Sequence, residues 1–241
     1  METAGLETRK KDVLFAVVRE YVKTAEPVGS VTLIERYGFD LSSATIRNEL
    51  AALEELGLIE QPHTSAGRIP SERGFQLFVD TVLAARPTGE ERGRKRKLRM
   101  PEEQQVPEEA VKSVAKHIAE HANEAVIVAF GPRHLYYTGL SHLFSQPEFQ
   151  EFGRVVRFSE LIDRLDDIVA EVYPRVGTDV TVWLGRKNPF GSQCGTVITQ
   201  CAIGGGLRGA VGILGPLRMD YERCIELLDT TQHLFEEAFA S

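Results

Sequence analysis

Apolar residues in the first third of the chain recur every three or four positions, the spacing of helices with one buried face. Val13, Val17 and Tyr21, flanked by Leu14, Val18 and Val22, give a wide apolar face to a helix that Thr8 can cap and that runs to about Thr24. Glu26-Pro27-Val28-Gly29 ends it. A short helix follows from Ser30 to Tyr37 and stops at Gly38, and after the turn Phe39–Leu41 another starts at Ser42 and ends at Gly57. Serine before a helix accepts from the unpaired N–H groups of its first turn, and glycine after one takes the left-handed turn at little cost. Two short helices around a tight turn read as a helix-turn-helix. Leu58-Ile59-Glu60 and Arg68-Ile69-Pro70, on either side of a polar loop, read as a small β-ribbon, the wing of a winged helix. Ser71 can cap a fourth helix to about Ala85 that buries Phe75, Phe78, Val79 and Val82.

Beyond residue 107 the pattern changes. An amphipathic helix begins at Pro107 with Val111, Val114, Ile118 and Ala122 on one face. Two apolar strands follow around a turn at Gly131-Pro132. Short helical turns cover 140–149, and a longer helix is predicted over Ser159–Tyr173 with Leu161, Ile162, Leu165 and Ile168 inward. Strands are predicted over Asp179–Gly185, Gly195–Ile203 and Leu207–Leu214, the last two joined by Gly204-Gly205-Gly206, and a final helix over Met219–Phe239. The sequence therefore predicts an α+β protein: a winged helix-turn-helix DNA-binding domain at 1–85, a basic linker at 86–107, and a sensor-like α+β effector or assembly domain at 108–241.

The helix after Ser42 has a face suited to a DNA groove. Ile46, Leu50 and Leu53 fall together and face the core. The opposite side carries Ala44, Asn48, Ala51 and Glu55, flanked by Thr45 and Arg47. Arg and Asn make bidentate contacts with guanine and adenine edges in the major groove, and small alanines let the helix axis come close to the bases. Ser42, Ser43 and Thr45 lie at the helix N-terminus, which favours phosphate. In the wing loop, His63, Thr64, Ser65 and Arg68 are expected to be free to reach phosphates or the minor groove. The competing reading is an ordinary surface helix and a plain polar hairpin.

Charge modifies this picture. The 241 residues carry a net −7, which argues against a protein that simply coats DNA. Residues 1–85 hold 9 Lys/Arg against 13 Asp/Glu, a net −4, whereas residues 86–107 hold 7 against 4, a net +3. Binding must then rest on locally placed cations: Arg47, Arg68, Arg9, Lys10, Lys11 and the run RGRKRKLR from Arg92 to Arg99. That run is either a solvated tether or a basic arm along the DNA backbone. There is neither a signal-peptide pattern nor an apolar run of membrane-spanning length, so no membrane partner is expected. Cys194, Cys201 and Cys224 form no CxxC pair and fit reduced thiols in a cytoplasm.

Two motifs look chemical. His117-Ile118-Ala119-Glu120-His121 matches H-x-x-E-H, but the histidines lie beside the apolar stripe of a short helix and no third ligand has its own spacing signal. A metallo-hydrolase is thus the weakest alternative. Gly204-x-Gly206-x-x-Gly209 matches a dinucleotide fingerprint, yet a strand follows it where a helix N-terminus is needed, so a glycine hairpin is the better reading. No catalytic constellation, metal site or cofactor site is expected, and the protein reads as a non-enzyme.

The strings EPVGS (26–30), SATIRNELAALEELGLIEQPHTSAGRIP (43–70), FVD (78–80), LSHLFSQPEF (140–149) and GAVGILGPLRMDYER (209–223) resemble the heat-inducible transcription repressors of the HrcA family. The resemblance covers residues 6–85 and 125–239. It implies a GAF-like second domain, an inverted-repeat operator before chaperone genes, and activity that depends on the chaperonin. The chain departs from the family in two ways. Serine at 43 stands where proline is usual, and there is no room for the family's inserted dimerising domain; the GAF-like domain looks abridged, because its first two strands follow each other directly. A two-fold operator requires paired subunits. A homodimer through 108–241 is therefore expected, with the apolar side of the last helix (Tyr221, Ile225, Leu228, Gln232, and nearby Leu227, Leu234 and Phe235) as its best candidate surface; the competing reading is that all of this side packs on the module's own sheet. The alternative within regulation is a small-molecule sensor.

Overall fold

A computed structural model describes residues 7–86 and 107–239. Apart from Arg86 and Pro107, the basic linker, with its run Arg92–Arg99, lies outside the described residues. The chain divides into two units, Met1–Arg86 and Pro87–Ser241.

In the first unit, helix α1 (Thr8–Thr24) places Val13, Leu14, Val17 and Val18 against the backs of α2 (Ser30–Tyr37), α3 (Ser43–Glu55) and α4 (Glu72–Ala84). Leu33, Ile46, Leu53, Phe75, Phe78 and Val79 complete this core, and Phe15 meets Phe78 edge to face at 5.0 Å. Thr8 is the first helical residue rather than the cap: Glu7 holds the cap position, with no side-chain bond to the first turn. Gly38, at φ 65°, closes α2 in the left-handed region, a conformation costly for any residue with a Cβ. The Ser42 hydroxyl accepts from the Thr45 N–H at 3.1 Å and opens α3. Strands β1 (Ile59–Glu60) and β2 (Ile69–Pro70) pair antiparallel, with Ile59 opposite Pro70. An antiparallel bridge between Val28 and Arg68 adds the α1–α2 connection to this ribbon. Ser71 caps α4 by accepting from the Gly74 N–H. Val82, expected inside, is only half-buried.

Glu20 is the buried charge of this core, and it is not left alone. Its carboxylate pairs with Arg36 and accepts from the Tyr37 hydroxyl at 3.3 Å, which ties the end of α2 to α1. Burial, with the Glu20 charge beside it, pushes the Tyr37 phenol up to about 12.

The second unit is a five-stranded antiparallel sheet in the order β4-β3-β7-β6-β5: β3 (Ala125–Gly131), β4 (His134–Thr138), β5 (Thr181–Leu184), β6 (Cys194–Gly204) and β7 (Leu207–Pro216). Side chains alternate across its faces. Ala125, Ile127 and Ala129 of β3, with Cys194, Ile198, Ala210 and Leu214, pack under α6 (Leu140–Phe144), α7 (Phe152–Asp163) and α8 (Leu165–Val172). Val126, Val128, Val197 and Cys201 face the other way, toward α5 (Pro107–Ala122) and α9 (Tyr221–Phe239). The described protein is thus a mixed helix-and-sheet fold. None of its described helices is long and apolar enough to cross a membrane.

Two expectations are corrected here. The helix predicted over Ser159–Tyr173 is two helices broken at Arg164, whose φ of −107° and ψ of 8° leave the helical region. The break turns Leu165, Val169 and Val172 onto the sheet, where all three are buried, while Leu161, Ile162 and Ile168 are only half-buried. The second correction concerns α9. Tyr221, Ile225, Leu228 and Phe235 are at most 2% exposed, all within the chain's own second unit. Gln232 donates to the Thr178 and Gln200 carbonyls beside the sheet. The apolar side of α9 is consumed by its own sheet and is not available to pair subunits.

Candidate nucleic-acid interface

The exposed side of α3 follows from its helical period. Ile46, Leu50 and Leu53 are buried, which turns Ala44, Arg47, Asn48 and Ala51 to solvent. Arg47 and Asn48 are adjacent, exposed, and without a side-chain hydrogen bond or ion pair among the described residues. Every donor of the guanidinium and amide is therefore open to an incoming partner.

The hydroxyls at the start of α3 are less free than the sequence suggests. The Ser42 hydroxyl is occupied by the cap and lies 2.9 Å from that of Thr45. Ser43 turns inward, its Oγ 3.0 Å from that of Ser30 at the start of α2. That bond locks the N-termini of α2 and α3 together. Within the first turn of α3, Ala44 is the residue that presents an open surface.

The loop between β1 and β2 is braced by Gln61, whose amide donates to the carbonyls of Thr64 at 3.1 Å and Ala66 at 2.9 Å. His63, Thr64 and Ser65 project from it, exposed and with unengaged side chains among the described residues. Arg68 is not free, contrary to expectation. Its Nε and guanidinium terminus lie 3.0 and 2.8 Å from the Glu54 carboxylate on α3, and its backbone exchanges two hydrogen bonds with Val28. Gly67 is required beside it, because a Cβ there would stand 2.5 Å from the Val28 carbonyl.

A cleft of ≈ 380 Å³ gathers part of this surface: Arg47 and Leu50 of α3, Gly29 and Ser30 at the start of α2, and Ser65 and Arg68 of the loop. His63 and Thr64 do not line it. The first N–H groups of α2 have no side-chain cap, since Gly29 occupies the cap position. Sequence reasoning does not single out the start of α2, although a Gly-Ser pair opening a helix is a usable signal for it. Acidic residues also shape the cation pattern. Glu49 holds Lys10 at 3.6 Å and Arg9 at 3.8 Å, so two cations expected to supply phosphate contacts are partnered within the unit. Lys11 lies over the Phe15 ring.

The chemical-looking motifs of the second unit do not assemble. His117 and Glu120 are exposed, and His121 Nδ1 faces the His117 carbonyl at 2.7 Å. Among the described residues no group of three or more His, Cys, Asp or Glu side chains converges on a metal position. Burial pushes the thiols of Cys194 and Cys201 up to about 12, so neither is a thiolate at neutral pH. The glycine motif is the β6–β7 hairpin, with Gly204, Gly205 and Gly206 all at positive φ.

The family model described as HrcA protein C terminal domain matches residues 77–225. The heat-inducible transcription repressor HrcA of Moorella thermoacetica is 28% identical over 328 aligned positions, covering 92% of this chain and 95% of that protein. The Brevibacillus brevis repressor of the same name is 28% identical over 332 positions, covering 96% of each. An alignment of 328 positions against a chain of 241 leaves at least 87 positions of the Moorella protein without a counterpart. The repressor of Caldanaerobacter subterraneus is 62% identical over 78 residues, 32% of this chain and 23% of that one. The solved structure of a hypothetical protein at 2.2 Å superposes with a TM-score of 0.72 at 18% identity, covering 97% of this chain and 98% of that one, so the fold is shared. With the family model spanning well over half of its residues, the chain belongs to the HrcA family, whose members are named heat-inducible transcription repressors.

Proposed function

We propose that this chain represses heat-shock genes by binding a specific operator, with the first unit as a winged helix-turn-helix and α3 as its recognition helix. One observation carries the reading: Arg47 and Asn48 stand side by side on the solvent face of α3, unengaged, between the small Ala44 and Ala51. This is the residue chemistry that reads guanine and adenine edges, on a helix face smooth enough to enter a major groove. The cleft formed by Arg47, the start of α2 and Ser65 is suited to a backbone phosphate, which would fix the register of α3. Ser42, Ser43 and Thr45 shape the helix start, and His63, Thr64 and Ser65 reach the flanking backbone. Arg68 contributes from within its pair with Glu54.

The second unit is a GAF-like module without the inserted dimerising domain. The at least 87 positions that the Moorella alignment leaves without a counterpart are in keeping with that loss. The operator is an inverted repeat, bound by two copies of the chain in the cytoplasm. Their pairing uses a surface other than the apolar side of α9. The family resemblance adds the chaperonin as the partner that sets activity.

Transcription in vitro from a chaperone-gene promoter tests the proposal. Purified protein should reduce transcripts from that promoter and not from an unrelated one, and added chaperonin should deepen the reduction. Equal effects on both promoters would remove the repressor reading.

A further inference from the structure

The second unit contains a cavity of ≈ 210 Å³ that the repressor reading does not use. Its floor is apolar: Phe149, Phe158 and Leu161 from the helical side, and Phe190 from the turn before β6. Phe149 and Phe158 meet edge to face at 5.4 Å and pack together in that wall. Cys194 also lines the floor, but with its thiol pushed up to about 12 it offers packing and no covalent chemistry.

The rim is cationic and rich in donors. Arg154 and Arg157 come from α7, and Ser192 and Gln193 from the turn before β6. The acidic residues nearby are already matched: Glu148 is held by Arg218, and Glu151 by Arg154 at 3.1 Å. Arg157 is exposed and has no ion-pair partner among the described residues, so one positive charge at the mouth is left over. Ser192 and Gln193 are likewise exposed, with neither backbone nor side-chain hydrogen bonds among the described residues.

An apolar, aromatic-walled floor with one surplus guanidinium and free donors at the entrance specifies a particular ligand chemistry. A neutral hydrocarbon would gain nothing from the rim donors, which would stay with water, and a polyanion would have no counterpart for its second charge or for the apolar wall. We infer that this cavity binds a small monocarboxylate whose apolar or aromatic body enters between Phe158 and Phe190, while its carboxylate stays at the rim on Arg157. A carboxylate takes two parallel hydrogen bonds from a guanidinium, which gives the site its orientation.

The test uses the full-length chain, 15N-labelled, titrated with phenylacetate and with its neutral counterpart phenylacetamide. Phenylacetate should shift the amide resonances of Gly191, Ser192 and Gln193 saturably, and phenylacetamide should bind at least about tenfold more weakly, because it cannot form the charge-assisted pair. Arg157→Gln, at an exposed position that does not threaten folding, should weaken phenylacetate about tenfold and leave phenylacetamide unchanged. No saturable shift at millimolar phenylacetate, equal binding of acid and amide, or full retention of phenylacetate binding by R157Q would each overturn the inference. None of these outcomes bears on operator binding, so the repressor reading stands or falls separately.

Discussion

The guanidinium of Arg68, at the foot of the ribbon, stands 2.8 Å from the carboxylate of Glu54 on α3. The pair joins the β1–β2 connection to α3, and it also neutralises one of the cations near the surface proposed to meet DNA. An ion pair this accessible adds little stability, at most about 1 kcal/mol. Its consequence for binding is larger. Glu54→Gln should release Arg68 to phosphate and tighten binding on every DNA sequence alike. The slope of log affinity against log salt should steepen by about one. Fluorescence anisotropy at several salt concentrations measures both, and an unchanged slope would show that Arg68 reaches no phosphate.

Base readout is assigned to Arg47 and Asn48. Replacing either by Ala should cost about 1–3 kcal/mol of operator binding and relax preference at one or two base positions. Both side chains are exposed and unengaged, so thermal unfolding should not move. Uniform weakening on all sequences would reassign them to the DNA backbone.

The basic run Arg92–Arg99 is proposed to supply charge for DNA that residues 1–85, at a net −4, lack. Neutralising Arg94, Lys95, Arg96 and Lys97 should weaken binding evenly and flatten the salt dependence by about one for each phosphate the run no longer neutralises. If competition binding at rising salt shows an unaltered slope, the run is a tether.

Glu124 gives the second unit a pH signature. It is 3% exposed, its Oε2 has no hydrogen-bond partner among the described residues, and it lies close to Gly215. Burial raises its carboxyl well above the ordinary 4.5; the nearby Glu148 adds to this and Arg218 opposes it. Above pH 4.5 the unfolded chain releases this proton while the folded chain keeps it. The contribution to stability is therefore complete below that pH and declines as pH rises toward the folded value. Glu124→Gln removes the loss. Its melting temperature relative to the parent chain should rise as the pH is raised above 4.5 and level off once the folded value is passed, and parallel profiles for the two proteins would contradict this.

Local signals make the first unit readable. Ser42 and Ser71 are caps, and Gly38 and Gly57 are stops, because each acts within a few residues of itself. The solvent face of α3 is equally legible, since Ile46, Leu50 and Leu53 fix it by period alone. What escapes the sequence depends on residues far apart in the chain. Arg68 and Glu54 are 14 residues apart, and Ser30 and Ser43 are 13 apart; no periodicity reports such pairs. The break at Arg164 has no glycine or proline to announce it. The wide apolar side of α9 suggests a surface for two partners, but an apolar stripe has the same spacing whether one sheet covers it or a second subunit shares it. Gln232 shows the difference, because its amide is spent on the Thr178 and Gln200 carbonyls of its own unit.

Footprinting of the purified chain on fragments of genomic DNA tests the central claim most directly, because it reports site, symmetry and readout together. A protected inverted repeat upstream of chaperone genes is expected, with major-groove protection in both half-sites that Asn48→Ala loses at one or two base positions per half-site. Diffuse protection without sequence preference, or a discrete site that Asn48→Ala and Arg47→Ala leave intact, would contradict it.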